Sequence, residues 1–433
     1  MSINGKFYCL SLVGLSLLCG CASKVKLPGV RESLILSGAE LEPHHETKQR
    51  PMTLPECSVS KDCTQAHASC THAASNQCFD VNGAKSRWSI LVGKDSSDKE
   101  RLLSNIVVYN NVVFGGTVCG RVFAVDASTH KILWSVDVAR KVEDVAKIGG
   151  IAVSFEGDIV VTLASGDVLL LDGKNGEVKK KVNLSCSLRS SPTIVNKIIL
   201  IQSSTNALFA LDSELNTMWE KYECPEDMVF LGNASPTYSE DLVFAAYSTG
   251  EYRAYDINTG AEVWFDYMTS QFQDDIVGNL LHVYASQVVS DGMVFTLGHG
   301  GRLSANYVTS GDRVWSATFS GMHTPAVIGE WVYVTDETAC VYCIHKRTGK
   351  VRWRAVLPSN SDAMRDPVSW TSPLIAGGTV LFVTEYGDVV FYDASDGHIV
   401  RKISTAIRTP ATAVIVEKTL YVMSNQGILY AIG

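Results

Sequence analysis

Residues 240–268 read EDLVFAAYSTGEYRAYDINTGAEVWFDYM, and the turns within them decide the fold. A β-prone run over residues 242–246 is followed by a small-residue turn, Ser248-Thr249-Gly250. A second alternating run ends in Ala254-Tyr255-Asp256. Another turn, Asn258-Thr259-Gly260, leads into a third run that carries Trp264. Alternating apolar residues between Gly- and Asn-containing turns read as antiparallel hairpins.

The unit recurs from Asn110, Glu156, Asn196, Asp291, Gly329 and Gly377, and a last copy from Glu417 stops after its second strand. The position of Asp256 is taken in turn by Asp126, Asp172, Asp212, Asp256, Tyr307, His345, Asp393 and Gly433. The mean spacing is about 44 residues, the period of four-stranded propeller blades. Ser/Thr-Pro steps at Ser191-Pro192, Ser235-Pro236, Thr324-Pro325, Ser372-Pro373 and Thr409-Pro410 precede short apolar runs. Proline costs little at the first residue of a strand, so these runs are read as the innermost strand, A. The repeat units then supply strands B, C and D.

The last copy lacks strand D. Residues 84–91, AKSRWSIL, have the look of other D strands such as AEVWFD and KVRWRA. An open sheet edge is a template for aggregation, and pairing residues 84–91 with the last copy would close it. The expected fold is therefore all-β: an eight-bladed β-propeller of four-stranded antiparallel blades over residues 84–433, closed by an N-terminal strand pairing with the C-terminal blade. Tryptophan holds the D position at Trp88, Trp134, Trp219, Trp264, Trp315 and Trp353, with Lys180 and Arg401 in the other two blades. Packing between blades is their expected role. The repeated Asp at a strand-end turn is expected to cap that turn, as Asx residues do.

A chain of 433 residues would ordinarily divide into two or three domains, but the repeat makes it one propeller. Apolar residues make up 46% and charged residues 19%, enough for a sizeable core. The net charge of -8 and the lack of a large basic run argue against nucleic acid as the principal partner. Lys179-Lys180-Lys181 reads as a solvated face.

Lys6 and the apolar residues 7–18 have the form of a signal peptide, too short to span a bilayer. Leu18-Cys19-Gly20-Cys21 resembles a bacterial lipobox. Cys21 follows the small Gly20 and is the expected site of lipidation, so residues 1–20 are the signal peptide. Ala22 rather than Asp follows it, which among lipoproteins favours the outer membrane. Residues 21–83, broken by Pro28, Pro43, Pro51 and Pro55, are expected to be a lipid-anchored tether. Within them Cys57, Cys63, Cys70 and Cys78 cluster near His67 and His72. Without a C-x-x-C knuckle, two local disulfides or free thiols fit an exported chain better than a metal site, and all three pairings stay open.

Cys340 and Cys343 would sit on opposite faces of one strand and read as buried apolar residues. Asp274-Asp275 reads as a solvated loop pair. No Ser/His/Asp order, phosphate-cradling Gly loop or metal-ligand set stands out, so no catalytic residue, metal or cofactor is assigned.

The pattern A-x-D-x-x-T-G-x-x-x-W, clear over residues 254–264, resembles the repeat of PQQ-type propellers. Two families carry that repeat: the quinoprotein dehydrogenases, and the BamB lipoproteins of the outer-membrane β-barrel assembly machinery. The lipobox is similar to that of the second family, as is Leu27-Pro28-Gly29-Val30-Arg31, which looks like its L-P-G-x-R stretch. No vicinal Cys-Cys pair of the dehydrogenase kind occurs. The BamB resemblance implies a non-enzymatic scaffold on the periplasmic face of the outer membrane. Its partners would be the POTRA domains of a BamA-like protein, other Bam components and unfolded outer-membrane clients. BamB-like proteins contact BamA through an L-x-L-R loop before an S-x-P-T turn. Here Cys186-Ser187-Leu188-Arg189-Ser190-Ser191-Pro192-Thr193 matches at Leu188 and Arg189, which would serve as an exposed anchor and a multidentate donor. The family's second patch, Asp-x-Asp, is replaced here by His282-Val283-Tyr284. The alternatives are a PQQ-dependent dehydrogenase-like quinoprotein, or a generic periplasmic binding propeller.

Overall fold

The structure is a computed structural model, and it describes residues 41–93, 102, 104–138, 148–224, 234–268, 282–299, 301–358, 370–407 and 410–433. The described strands form eight four-stranded antiparallel sheets. Seven take consecutive strands in the order A-B-C-D. Blade four, for example, comprises Thr237–Ser239, Leu242–Ala246, Glu251–Asp256 and Glu262–Tyr267. The eighth joins Pro410–Val416, Thr419–Ser424 and Ile428–Ile432 to Ser86–Leu91. Trp88 lies opposite Ala431 in this pairing, which is the expected closure of the ring.

Strands B and C are buried on both faces because each blade packs against two neighbours. That is why Leu242–Ala246 and Met293–Leu297 are nearly unbroken apolar runs. Strand D is the outer edge and has one inward anchor. In Glu262–Tyr267 that anchor is Trp264, buried between exposed neighbours.

The repeated motif is an inter-blade joint. The indole Nε1 of Trp264 donates to the carbonyl of Val308 in the next blade at 2.7 Å. Trp134, Trp219, Trp315 and Trp353 make the same bond to Gly173, Ile257, Lys346 and Ala394. The Gly of the next blade's C–D turn lies over each ring. A Cβ on Gly311, where φ is +75°, would come within 2.6 Å of Trp264. Only glycine meets both demands, the left-handed backbone and the close approach. The Asp that opens the turn caps it: Asp256 Oδ1 accepts from the amides of Asn258 and Thr259 at 3.1 and 2.8 Å. Asp126, Asp172, Asp212 and Asp393 do the same in their own turns.

The two D strands without Trp have their own fastenings. Lys180 faces Glu214 of the next blade at 3.6 Å. Arg401 precedes the closing blade, which has no C–D turn because its strand D comes from the other end of the chain. Its guanidinium instead grips the carbonyls of Val81 at 2.6 Å and Ala84 at 2.8 Å, and also that of Asn82.

Residues 41–83 correct the expectation of a tether that runs to residue 83. The helix His45–Gln49 sits against the outer strand of blade six, Val351–Val356. The His44 amide donates to the Val351 carbonyl at 2.8 Å, and Arg352 Nη1 reaches the carbonyls of Thr47 and Arg50. An edge that would otherwise be open is covered.

Residues 57–78 then run once around the mouth of the channel and bond the innermost strand region of every blade in turn. Ser60 O accepts from Glu417 N in blade eight, Cys63 exchanges both backbone bonds with Val108 in blade one, and Thr64 O accepts from Val153 N in blade two. The Gln65 side chain accepts from Ile194 N in blade three. Cys70 O and Thr71 O accept from Tyr238 N and Val289 N in blades four and five. Ala74 N and Gln77 N donate to Val327 O and Ile375 O in blades six and seven. Inner strand edges need such partners as much as outer ones do. A disulfide between Cys57 and Cys78 joins the two ends of the segment. The second expected pairing is not made: Cys63 and Cys70 are free thiols. Cys63 is buried, with its Sγ donating to the Gln65 carbonyl, and burial pushes the thiol up to about 12.

Candidate functional site in the central channel

Among the described residues, the Ser/Thr-Pro steps that announced strand A contribute to a polar collar at its start. The Ser235 amide donates to Ser286 Oγ, and the Ser286 amide to Thr324 Oγ1, each at 3.0 Å. Two residues further along the chain, Thr193 Oγ1 donates to the Pro236 carbonyl and Thr237 Oγ1 to the Gln287 carbonyl, at 2.6 and 2.8 Å. Each hydroxyl thus ties one blade to the next where strands are too short to do so. This gives a physical reason for the hydroxyl residues Thr193, Thr237 and Thr324 beside prolines.

Between the collar and the 57–78 segment lies a cavity of about 420 Å³. The segment contributes His67 and His72, and the wall contributes Arg189, Ser286, His323 and Thr324. Among the described residues that line it, Asp62 and Arg189 are the only side chains of fixed charge. His72 Nδ1 lies 3.0 Å from the Gln287 carbonyl. A carbonyl only accepts, so Nδ1 carries the proton and Nε2 the lone pair. That Nε2 is buried and has no hydrogen-bond partner among the described residues. Burial holds His67 and His323 down at about 4. Burial, and then the neighbouring His67, hold His72 well below the usual histidine range. The three imidazoles are therefore neutral at pH 7.

Leu188 is not the exposed anchor expected of it. It is fully buried, in the core of blades two and three with Val160, Val168 and Ile199. Its loop passes over Gly149, where a Cβ would come within 2.5 Å of the Leu188 carbonyl, so the backbone lies close and the side chain fills the space between blades. Arg189 is half-buried. Its Nε donates to Ser187 Oγ at 3.1 Å, and its Nη1 is buried without a hydrogen-bond partner among the described residues. Cys343 is buried against one neighbouring blade while Cys340 packs on the opposite side, as their spacing on the strand requires. Val283 is in the core, and His282 and Tyr284 stack with ring centres 4.4 Å apart. Cys21, residues 27–31 and Asp274-Asp275 lie outside the described residues.

Among the described residues one group of side chains could hold a metal: Asp393, Asp396 and His398, in the C–D turn of blade seven. Asp393 is already engaged there in capping Ser395. His323 is the cavity residue that sequence reasoning passed over, while His67 and His72 were weighed only as neighbours of the four cysteines. The available signal was position: His323 and Arg189 stand just before Thr324-Pro325 and Ser190-Ser191-Pro192, where the chain turns into the channel.

A family model described as outer membrane protein assembly factor BamB matches residues 118–355 and 339–433. An uncharacterized protein of Rickettsia conorii is 24% identical over 268 residues, covering 61% of this chain and 64% of that protein. The chain thus spans slightly less than two thirds of that relative. The BamB of Escherichia coli is 24% identical over 420 residues, covering 94% of this chain and 98% of that protein. The crystal structure of BamB from Moraxella catarrhalis superposes with a TM-score of 0.68 at 19% identity, covering 81% of this chain and 99% of that one. A TM-score of 0.67 at 12% identity is also reached by a quinohemoprotein alcohol dehydrogenase, so this likeness is one of fold alone.

Proposed function

Since the chain belongs to the family of the outer membrane protein assembly factor BamB, we propose that it is a non-enzymatic scaffold of the β-barrel assembly complex. It is held on the periplasmic face of the outer membrane by lipid on Cys21, behind a cleaved signal peptide, and binds the POTRA domains of a BamA-like protein. Several acyl chains anchor such a protein firmly, since each buried CH₂ contributes about 0.8 kcal/mol.

The observation that carries this reading is how the repeated residues are used. The motif Asp residues cap turns and the Trp residues lock blades, so the repeat builds a rigid ring and leaves loops and outer edges as its working surface. On blade four that edge is apolar: Val263, Phe265 and Tyr267 are 48%, 54% and 52% exposed at alternate positions. An open edge of this kind suits an extended chain added as a further strand. The BamA contact is placed on the loop around Arg189, with Leu188 as its buried support rather than a touching residue.

Crosslinking pull-down of the tagged full-length chain from membranes tests the reading. Recovery of a BamA-like barrel protein is the expected result, weakened by Arg189→Glu. Recovery of none would remove the functional half of the proposal, and unchanged recovery with Arg189→Glu would remove the loop as contact.

A further inference from the structure

We propose that the channel cavity is a binding site for a small hydroxy carboxylic acid, with its carboxylate on Arg189 and a hydroxyl donated to His72 Nε2. This goes beyond the scaffold role and does not depend on it.

Arg189 and His72 both line this cavity, and each carries a buried polar atom, the two of opposite character. Arg189 Nη1 is a charged donor, and His72 Nε2 is an acceptor whose tautomer is fixed by the Gln287 carbonyl. Neither has a hydrogen-bond partner among the described residues. Leaving a charged group buried and unmatched is costly, and leaving a neutral one so costs about 1–3 kcal/mol. A molecule that satisfies both must present an anionic acceptor and a neutral or cationic donor.

The charge balance selects among such molecules. Among the described residues Asp62 is the only carboxylate lining the cavity, and its Oδ1 already accepts from the Asn110 amide at 2.8 Å. An ammonium donor would therefore meet Arg189 and three neutral imidazoles with little to compensate it. A hydroxyl donor carries no such cost. The collar adds neutral partners: Ser286 Oγ accepts from the Ser235 amide and keeps its own hydrogen to donate. The volume of about 420 Å³ falls within the range of about 300–1,000 Å³ typical of small-molecule sites. The floor is rigid, because His67 and His72 stand on a segment bonded to all eight blades and closed by Cys57–Cys78. Preorganisation of that kind lowers the entropic cost of binding.

The test is calorimetric titration of the full-length chain with gluconate, glucuronate and tartrate. Sorbitol, which has hydroxyls and no carboxylate, and hexanoate, which has a carboxylate and no hydroxyl, are the controls. At least one hydroxy acid should bind at least tenfold more tightly than both controls. Arg189→Met should weaken that acid at least tenfold. His72→Phe should bring it down to the level of hexanoate. Circular dichroism checks that each variant folds, and Arg189→Lys, which keeps the charge but not the planar fork, should retain part of the affinity. If no hydroxy acid exceeds both controls with the unmodified chain, or if folded Arg189→Met binds as well as the parent, the proposal is wrong.

Discussion

Arg401 Nη2 donates to the carbonyl of Ala84 at 2.8 Å, so the last complete blade holds the chain just before the strand that closes the ring. The same guanidinium serves Val81 and Asn82. At the joints that carry a D-strand tryptophan, the indole packs against a turn of the next blade. Here no such turn exists, and a multidentate cation holds three carbonyls instead. Arg401→Ala should lower unfolding stability by about 1–3 kcal/mol, the usual worth of hydrogen bonds to a charged group. Urea unfolding measures it, and an unchanged midpoint would show that the closure does not need this residue.

Gly311 and Gly378 separate two effects of glycine. Both have φ near +75°, at +75° and +78°, but a Cβ on Gly311 would strike Trp264 whereas one on Gly378 meets nothing within 4 Å. Gly378→Ala should cost about 1 kcal/mol from backbone strain. Gly311→Ala should cost measurably more, with a change in Trp fluorescence. Equal losses in thermal melts would mean that the Trp–Gly joint contributes nothing beyond the turn.

The Cys57–Cys78 bond closes a loop across a sequence separation of 21 residues. Constraining the unfolded chain in this way is worth about 3 kcal/mol. Replacing both cysteines by serine should lower the melting temperature by that measure. It should also speed hydrogen exchange at the amides of Val108, Tyr238 and Val289, which are bonded to the segment. Exchange at unaltered rates would mean that the hydrogen bonds hold the segment without the covalent clasp.

Stability should fall as the solution is acidified from pH 7 to pH 5. His67, His282 and His323 have folded values near 4, depressed first by burial. The unfolded chain takes up protons near the ordinary histidine value of about 6.5. Between those limits the unfolded state binds more protons, so stability is complete above about pH 6.5 and declines towards pH 4. Thermal melts across this range measure the slope. His323→Asn should flatten it, and a slope unchanged by that substitution would contradict the assignment.

The ring was legible because its period is written in backbone chemistry. Turn glycines, capping Asp residues and the D-strand Trp each recur for a local reason, so the repeat announces blade count and closure together. The 57–78 segment was not legible, because it binds almost wholly through backbone groups, which leave no residue pattern. Leu188 was misread for a related reason: a lone loop leucine looks the same in sequence whether it faces solvent or fills the gap above Gly149. The cavity was hidden because His72, His323 and Arg189 come from distant parts of the chain and meet only once the ring has closed.

A ring that serves as a docking scaffold in barrel assembly must bind its barrel protein directly. Biolayer interferometry between the purified, signal-free chain and the purified POTRA domains of the BamA-like protein from the same cell tests it most directly. Saturable binding is expected, weakened at least tenfold by Arg189→Glu while the thermal melt is retained. No saturable binding by the folded, disulfide-bonded protein would contradict it.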